Sequence, residues 1–125
     1  MTPRTYSIFL VEDHPLVRRA LRHLLEEEAD LTIIAEAESA ESALAQLPSI
    51  APDLLMTDLS LPGASGLELV ELLKFERPEL RCLVVTGHAD PFYRAAALAA
   101  GAVGFVTKDD PDEVIGVVRQ VLGAN

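Results

Sequence analysis

The sequence predicts an α/β domain built on a parallel sheet that is covered by helices on both faces. Five short apolar runs alternate with segments whose apolar residues recur at helical spacing. Runs such as Leu54-Leu55-Met56 are apolar without alternation, as expected of strands buried on both sides. Turn and cap residues follow the runs, as at Glu12-Asp13-His14-Pro15 and Pro62-Gly63.

Ser7 to Val11 reads as the first strand, and Pro15 opens a helix with Asp13 or His14 near its cap. Leu16, Val17, Ala20, Leu21, Leu24 and Leu25 would face inward, with Arg18, Arg19, Arg22 and Glu26 to Glu28 outside, ending near Ala29-Asp30. Thr32 to Ala37 is the second strand. Ser39 or Ser42 caps a short helix stopped by Pro48. Asp53 to Asp58 is the third strand; Ser65 then caps a helix carrying Leu67, Leu69, Val70, Leu72 and Leu73, which ends near Pro78. Arg81 to Thr86 is the fourth strand, and Pro91 opens an alanine-rich helix closed by Gly101. Val103 to Thr107 is the fifth strand, and Asp110-Pro111-Asp112-Glu113 combines cap, proline and first-turn acids at the start of the last helix.

Composition bounds the function classes. At 125 residues the chain can bury one core of its own, and 50% apolar with 24% charged residues is ordinary globular usage. A formal net charge of −10 argues against this segment binding nucleic acid itself, because phosphate contacts need clustered Lys and Arg. No apolar run is long enough to span a bilayer, and Met1 to Thr5 lacks the core of a signal peptide. The expectation is a cytoplasmic protein without membrane contact. Cys82 lies within Cys82-Leu83-Val84-Val85 and reads as a small buried hydrophobe.

The chemistry is expected where the strands end. In a right-handed parallel sheet Glu12 and Asp13, Asp58, Thr86 and Lys108 share one edge, and ligands of such sheets sit beyond the carboxyl ends of the strands. Crowded carboxylates repel one another, and a divalent cation such as Mg²⁺ relieves this. The set then suits phosphoryl transfer to Asp58 as a carboxylate nucleophile, with Thr86 and Lys108 holding phosphoryl oxygens. His14 and His88 stand nearby, but neither a Cys nor a second spaced His supports a zinc site.

Val11-Glu12-Asp13, Met56-Thr57-Asp58-Leu59-Ser60-Leu61-Pro62-Gly63, Val85-Thr86 and Phe105-Val106-Thr107-Lys108, in this order across the whole chain, resemble the motifs of the response-regulator receiver domain. The resemblance implies a flavodoxin-like (βα)5 doubly wound fold, sheet order 2-1-3-4-5, with two helices on one face and three on the other. It implies residues 1–125 as one receiver domain with no effector domain among them. It implies Asp58 as phosphoacceptor, and Mg²⁺ held by Asp13, Asp58 and the Ser60 backbone carbonyl, with Glu12 acting through water. Thr86 and Lys108 would bind the phosphoryl group, Thr86 and Phe105 would form the switch, and Ser60 and His88 would tune dephosphorylation. A sensor histidine kinase or phosphotransfer protein is the implied partner, with a homodimer on phosphorylation as a further possibility. Tyr93, Arg94 and Arg119 are candidate contacts on the reporting face.

Two departures stand out. Glu12 replaces a frequent Asp, and Asp109 follows Lys108 where many receivers have proline. The latter, with Gly101-Ala102-Val103-Gly104-Phe105, resembles the NarL/FixJ (LuxR-type) transcriptional regulators, which would contact DNA through an effector domain absent from this chain. A stand-alone regulator and a degenerate interaction module are the alternatives. A Mg²⁺-dependent phosphohydrolase would need an acid where Ser60 stands, so turnover of external substrates is not expected. An anionic flavin would be repelled by Glu12-Asp13.

Overall fold

The computed structural model describes residues 4–87 and 90–124. Among them the elements alternate as predicted: β1 (Tyr6–Val11), α1 (Pro15–Glu26), β2 (Leu31–Ala37), α2 (Ala40–Gln46), a 3-10 turn (Leu47–Ser49), β3 (Leu54–Thr57), α3 (Gly66–Glu76), β4 (Arg81–Thr86), α4 (Pro91–Ala100), β5 (Gly104–Thr107) and α5 (Pro111–Leu122). The strands are all parallel, in the order β2-β1-β3-β4-β5. This is the flavodoxin-like order the motifs implied.

Side chains on successive strand residues point to opposite faces, and the sheet therefore divides two cores. Phe9, Val11, Leu55, Val84 and Phe105 meet α2, α3 and α4 on one side. Ile8, Leu10, Leu54, Met56, Leu83, Val85 and Val106 meet α1 and α5 on the other. The three-and-two division of helices follows. The central strands have polar faces on neither side, which explains their unbroken apolar runs.

Local signals set the helix ends. Ser65 caps α3 in a complete capping box, its Oγ accepting from the Glu68 N–H at 3.2 Å while Glu68 Oε1 accepts from the Ser65 N–H at 3.2 Å. Ser39, Asp90 and Asp110 cap α2, α4 and α5, and Gly101 closes α4 with a left-handed φ of 115°.

Three expectations are corrected. Helix α1 stops at Glu26, not near Ala29-Asp30: the Glu28 N–H bonds back only three residues, to the Leu25 carbonyl at 3.1 Å, so the chain tightens out of the α-helix and turns toward β2. Leu16 is 71% exposed and Ala20 is exposed too. At about 100° per residue Leu16 is turned roughly 140° from the buried Leu21, which with Leu25 forms the inward stripe. Leu72 likewise points outward from α3. In β2 the pairing with β1 skips Ile34, producing a bulge between Ile8 and Phe9 of the partner.

Candidate functional site

The sheet order reverses between β1 and β3, and the cleft beyond their ends is the place where such folds bind ligands. Val11 pairs with Thr57, Thr57 with Val84 and Thr86 with Thr107. The residues just past these positions are therefore brought to one edge. The Asp58 N–H donates to the Val11 carbonyl at 3.1 Å, and the Lys108 N–H donates to the Thr86 carbonyl at 2.7 Å. Those two bonds tie the β3 exit to β1 and the β5 exit to β4.

One carboxylate oxygen from each of Glu12, Asp13 and Asp58 lies within 4.8 Å of the others. The Lys108 ammonium donates to Glu12 Oε1 and stands 3.1 Å from Asp58 Oδ2. Glu12 is 1% exposed, and its other oxygen accepts from the His14 N–H at 3.3 Å. Burial pushes the Glu12 carboxyl above the usual carboxylate range, and the Asp58 charge adds to this while the Lys108 hydrogen bond opposes it. Burial would depress the Lys108 ammonium, but the Glu12 hydrogen bond and the Asp58 and Glu12 charges outweigh it and hold it above the ordinary lysine value. One ammonium against three carboxylates leaves two negative charges when all are ionised. The donors are all hard oxygens, a set that suits Mg²⁺ and not a soft metal.

The remaining predicted residues fall as follows. Thr86 is buried at the end of β4, and alternation puts its side chain on the same sheet face as Val84 and Phe105. Phe105 is buried in the core beside α2, α3 and α4. Ser60 is exposed on the loop two residues past Asp58. His88 lies outside the described residues. His14 caps α1, its Nδ1 accepting from the Val17 N–H at 3.4 Å. Tyr93 and Arg94 are exposed on α4. Arg119 is not an open contact: its Nη1 and Nη2 donate to Asp30 at 2.9 and 2.8 Å, and Nη2 also donates to Glu28 at 2.8 Å.

Two residues beside the cleft have contacts that sequence reasoning does not specify, although Gly66, like Gly63, reads in the sequence as serving backbone geometry. Gly66, the first residue of α3, packs against the main chain of Asp58 so closely that a Cβ would overlap the Asp58 carbonyl oxygen. The signal was a glycine at the opening of a helix, where nothing local demands one. Arg18, assigned to an outer face, instead reaches back from α1 and donates from Nη1 to the Glu12 carbonyl at 2.7 Å.

Comparison with known proteins agrees with this fold. The response regulator receiver domain model matches residues 8–119. The chain belongs to that family. The receiver domain is 40% identical over 103 residues to the DNA-binding transcriptional activator DevR/DosR of Mycobacterium tuberculosis, covering 82% of this chain and 48% of that protein. It superposes on a LuxR-family two-component response regulator from Aurantimonas sp. SI85-9A1 with a TM-score of 0.91 and 35% identity, covering 95% of this chain and 86% of that one. The signal receiver domain of NarL from Mycobacterium tuberculosis gives a TM-score of 0.90 at 25% identity, covering 98% and 100%. The NarL and LuxR-type likeness drawn from the motifs is thus borne out. The chain spans about half the length of the relatives it matches by sequence. No helix among the described residues is long and apolar enough to cross a membrane.

Proposed function

We propose that this receiver domain accepts a phosphoryl group on Asp58 from a sensor histidine kinase or phosphotransfer protein in the cytoplasm. The consequence would be a changed output surface that controls a DNA-binding regulator, the activity named for DevR/DosR. The observation that carries the reading is the lysine bridge: Lys108 joins buried Glu12 to Asp58 at 3.1 Å within a cluster that includes Asp13.

Lys108 stands 3.1 Å from Asp58 Oδ2, and in the proposed reaction one carboxylate oxygen of Asp58 forms the bond to phosphorus. As it forms, the phosphorus–nitrogen bond of the donor imidazole breaks and the imidazole leaves with a proton. Lys108 and the Thr86 hydroxyl then hold the phosphoryl oxygens. Asp13, Asp58 and the Ser60 carbonyl would hold Mg²⁺, with Glu12 acting through water, and the ion would screen the phosphoryl oxygens from the carboxylates. Thr86 shares a sheet face with Phe105, and the new charge is relayed through this pair toward α4, β5 and α5. Ser60 and His88 set how quickly water removes the group. With Ser60 in place of a leaving-group acid, the domain is a signalling module, without turnover of external substrates.

Intact mass after incubation with a small phosphodonor, with and without Mg²⁺, tests the proposal. A Mg²⁺-dependent gain of one phosphoryl group in the wild type and none in Asp58→Asn is expected. No gain with any donor would mark a degenerate interaction module. A gain in both proteins would move the acceptor elsewhere. Size-exclusion of the phosphorylated protein asks in the same preparation whether a homodimer forms.

A further inference from the structure

We propose that Arg18 is a positioning residue for the acidic cleft: its guanidinium fixes the peptide between Glu12 and Asp13, and so the direction in which Asp13 presents its carboxylate to a divalent cation. This rests on the reading of the cleft as a Mg²⁺-holding phosphoacceptor site.

The backbone accounting at the end of β1 leads to it. The last ladder bonds there are the Asp58 N–H to the Val11 carbonyl at 3.1 Å and the Glu12 N–H to the Ala37 carbonyl at 2.9 Å. The next acceptor, the Glu12 carbonyl, lies past the end of the strand, and Arg18 Nη1 supplies its donor at 2.7 Å. That carbonyl belongs to the same planar peptide as the Asp13 N–H. Holding its oxygen therefore orients the backbone from which the Asp13 side chain leaves.

Arg18 is itself held. It sits one helical turn after His14, and its N–H donates to the His14 carbonyl at 2.9 Å. Its Nε lies 3.7 Å from Glu36 Oε1. Glu36 is fixed in turn by Arg22 at 2.7 Å, and Arg22 by Glu26 at 3.1 Å. A line of charged groups running from α1 to the end of β2 therefore aims one guanidinium at one carbonyl. The partner of a metal ligand's backbone acts here as outer partners of metal sites generally do, by orientation.

Position and charge predict opposite signs. Removing a cation beside three carboxylates strengthens cation binding by Coulomb's law, whereas losing the orientation of Asp13 weakens it. The test is a Mg²⁺ titration of wild type, Arg18→Met and Arg18→Lys, followed by backbone amide shifts, with the Asp13 amide also compared in metal-free protein. Arg18→Met is expected to bind Mg²⁺ about tenfold more weakly, the lower end of what outer partners contribute, and to show a displaced Asp13 amide before any metal is added. Arg18→Lys, which keeps a donor and the charge, is expected to recover most of both. Binding by Arg18→Met as tight as or tighter than wild type would overturn the inference. So would an unmoved Asp13 amide, or an Arg18→Lys protein no better than Arg18→Met. A wild type that takes up neither Mg²⁺ nor a phosphoryl group would refute the phosphoacceptor reading instead, and the metal-free Asp13 amide would still decide the role of Arg18.

Discussion

Replacing Gly66 by alanine should damage both the stability of the domain and the geometry of Asp58, the proposed phosphoacceptor. The added Cβ would stand 2.9 Å from the Asp58 carbonyl carbon and 3.1 Å from Leu59 Cα, besides overlapping the Asp58 oxygen. Carbon atoms at rest lie about 3.5–4.0 Å apart and a carbon rests about 3.3 Å from a carbonyl oxygen, so either the start of α3 or the loop carrying Asp58 must shift by roughly an ångström or more. Neither partner is a flexible side chain that can turn away. The α3 start is held by the Ser65–Glu68 capping box, and the Gly66 N–H donates to the Leu59 carbonyl at 2.9 Å. Forcing an extra carbon into such a contact costs about 1–3 kcal/mol, and the helix preference of alanine over glycine returns up to about 1 kcal/mol. A net loss of about 1–2 kcal/mol is expected, read as a lower denaturant midpoint at unchanged slope. Displacement of the acceptor should in addition slow phosphorylation from a small donor by roughly tenfold to 10²-fold. Gly116 provides the control: it is exposed on α5 and a Cβ there would meet nothing within 4 Å. Gly116→Ala should therefore stabilise by about 0.5–1 kcal/mol without touching the rate. A Gly66→Ala protein that matched Gly116→Ala in both assays would refute the packing argument.

Other outcomes follow from the same structure. Cys82 is 3% exposed and burial pushes its thiol up to about 12, so alkylation of native protein at neutral pH should proceed only as fast as the domain opens; prompt labelling would contradict this. The Arg119 hydrogen bonds hold the Asp30 carboxyl below its usual 3.8. The stability this contributes is present above that value and is lost as pH falls through the depressed one. Asp30→Asn should accordingly unfold at lower urea than wild type at pH 7, with the difference shrinking as both are taken below pH 3.8; a constant difference would show that the pair acts by shape alone.

The cleft was legible because a parallel sheet converts sequence position into spatial position. Glu12, Asp13, Asp58 and Lys108 each follow a run that could only be a strand, and strands of one direction end on one side. Helix caps were legible for a similar reason, since Ser65 and Asp110 act within three residues of themselves. Arg18 and Leu16 were not. Helical phase tells which side chains stand together, but not which stripe the sheet selects, and Leu21 with Leu25 won over Leu16 and Ala20. Nor does phase reveal that a long side chain can turn back toward the preceding loop, as Arg18 does. Gly66 was legible as a residue of backbone geometry, but its partner was not: that is a main chain eight positions earlier, and a steric exclusion leaves no mark in a pattern of hydrophobicity. Arg119 read as a surface charge because its partners Glu28 and Asp30 lie across the fold.

The bulge at Ile34 bears on how the domain behaves at high concentration. Strand β2 is the outer strand on its side of the sheet, and an outer strand offers unpaired amides on which another chain can build. The extra residue bends and twists that strand, and Glu36 with Arg18 and Arg22 sets charge along it. At the opposite margin β5 has only four residues, too few to template a long ladder. Both borders of the sheet are thereby guarded against edge-to-edge stacking, so self-association by strand addition is disfavoured even though the strands between them are among the most apolar segments of the chain.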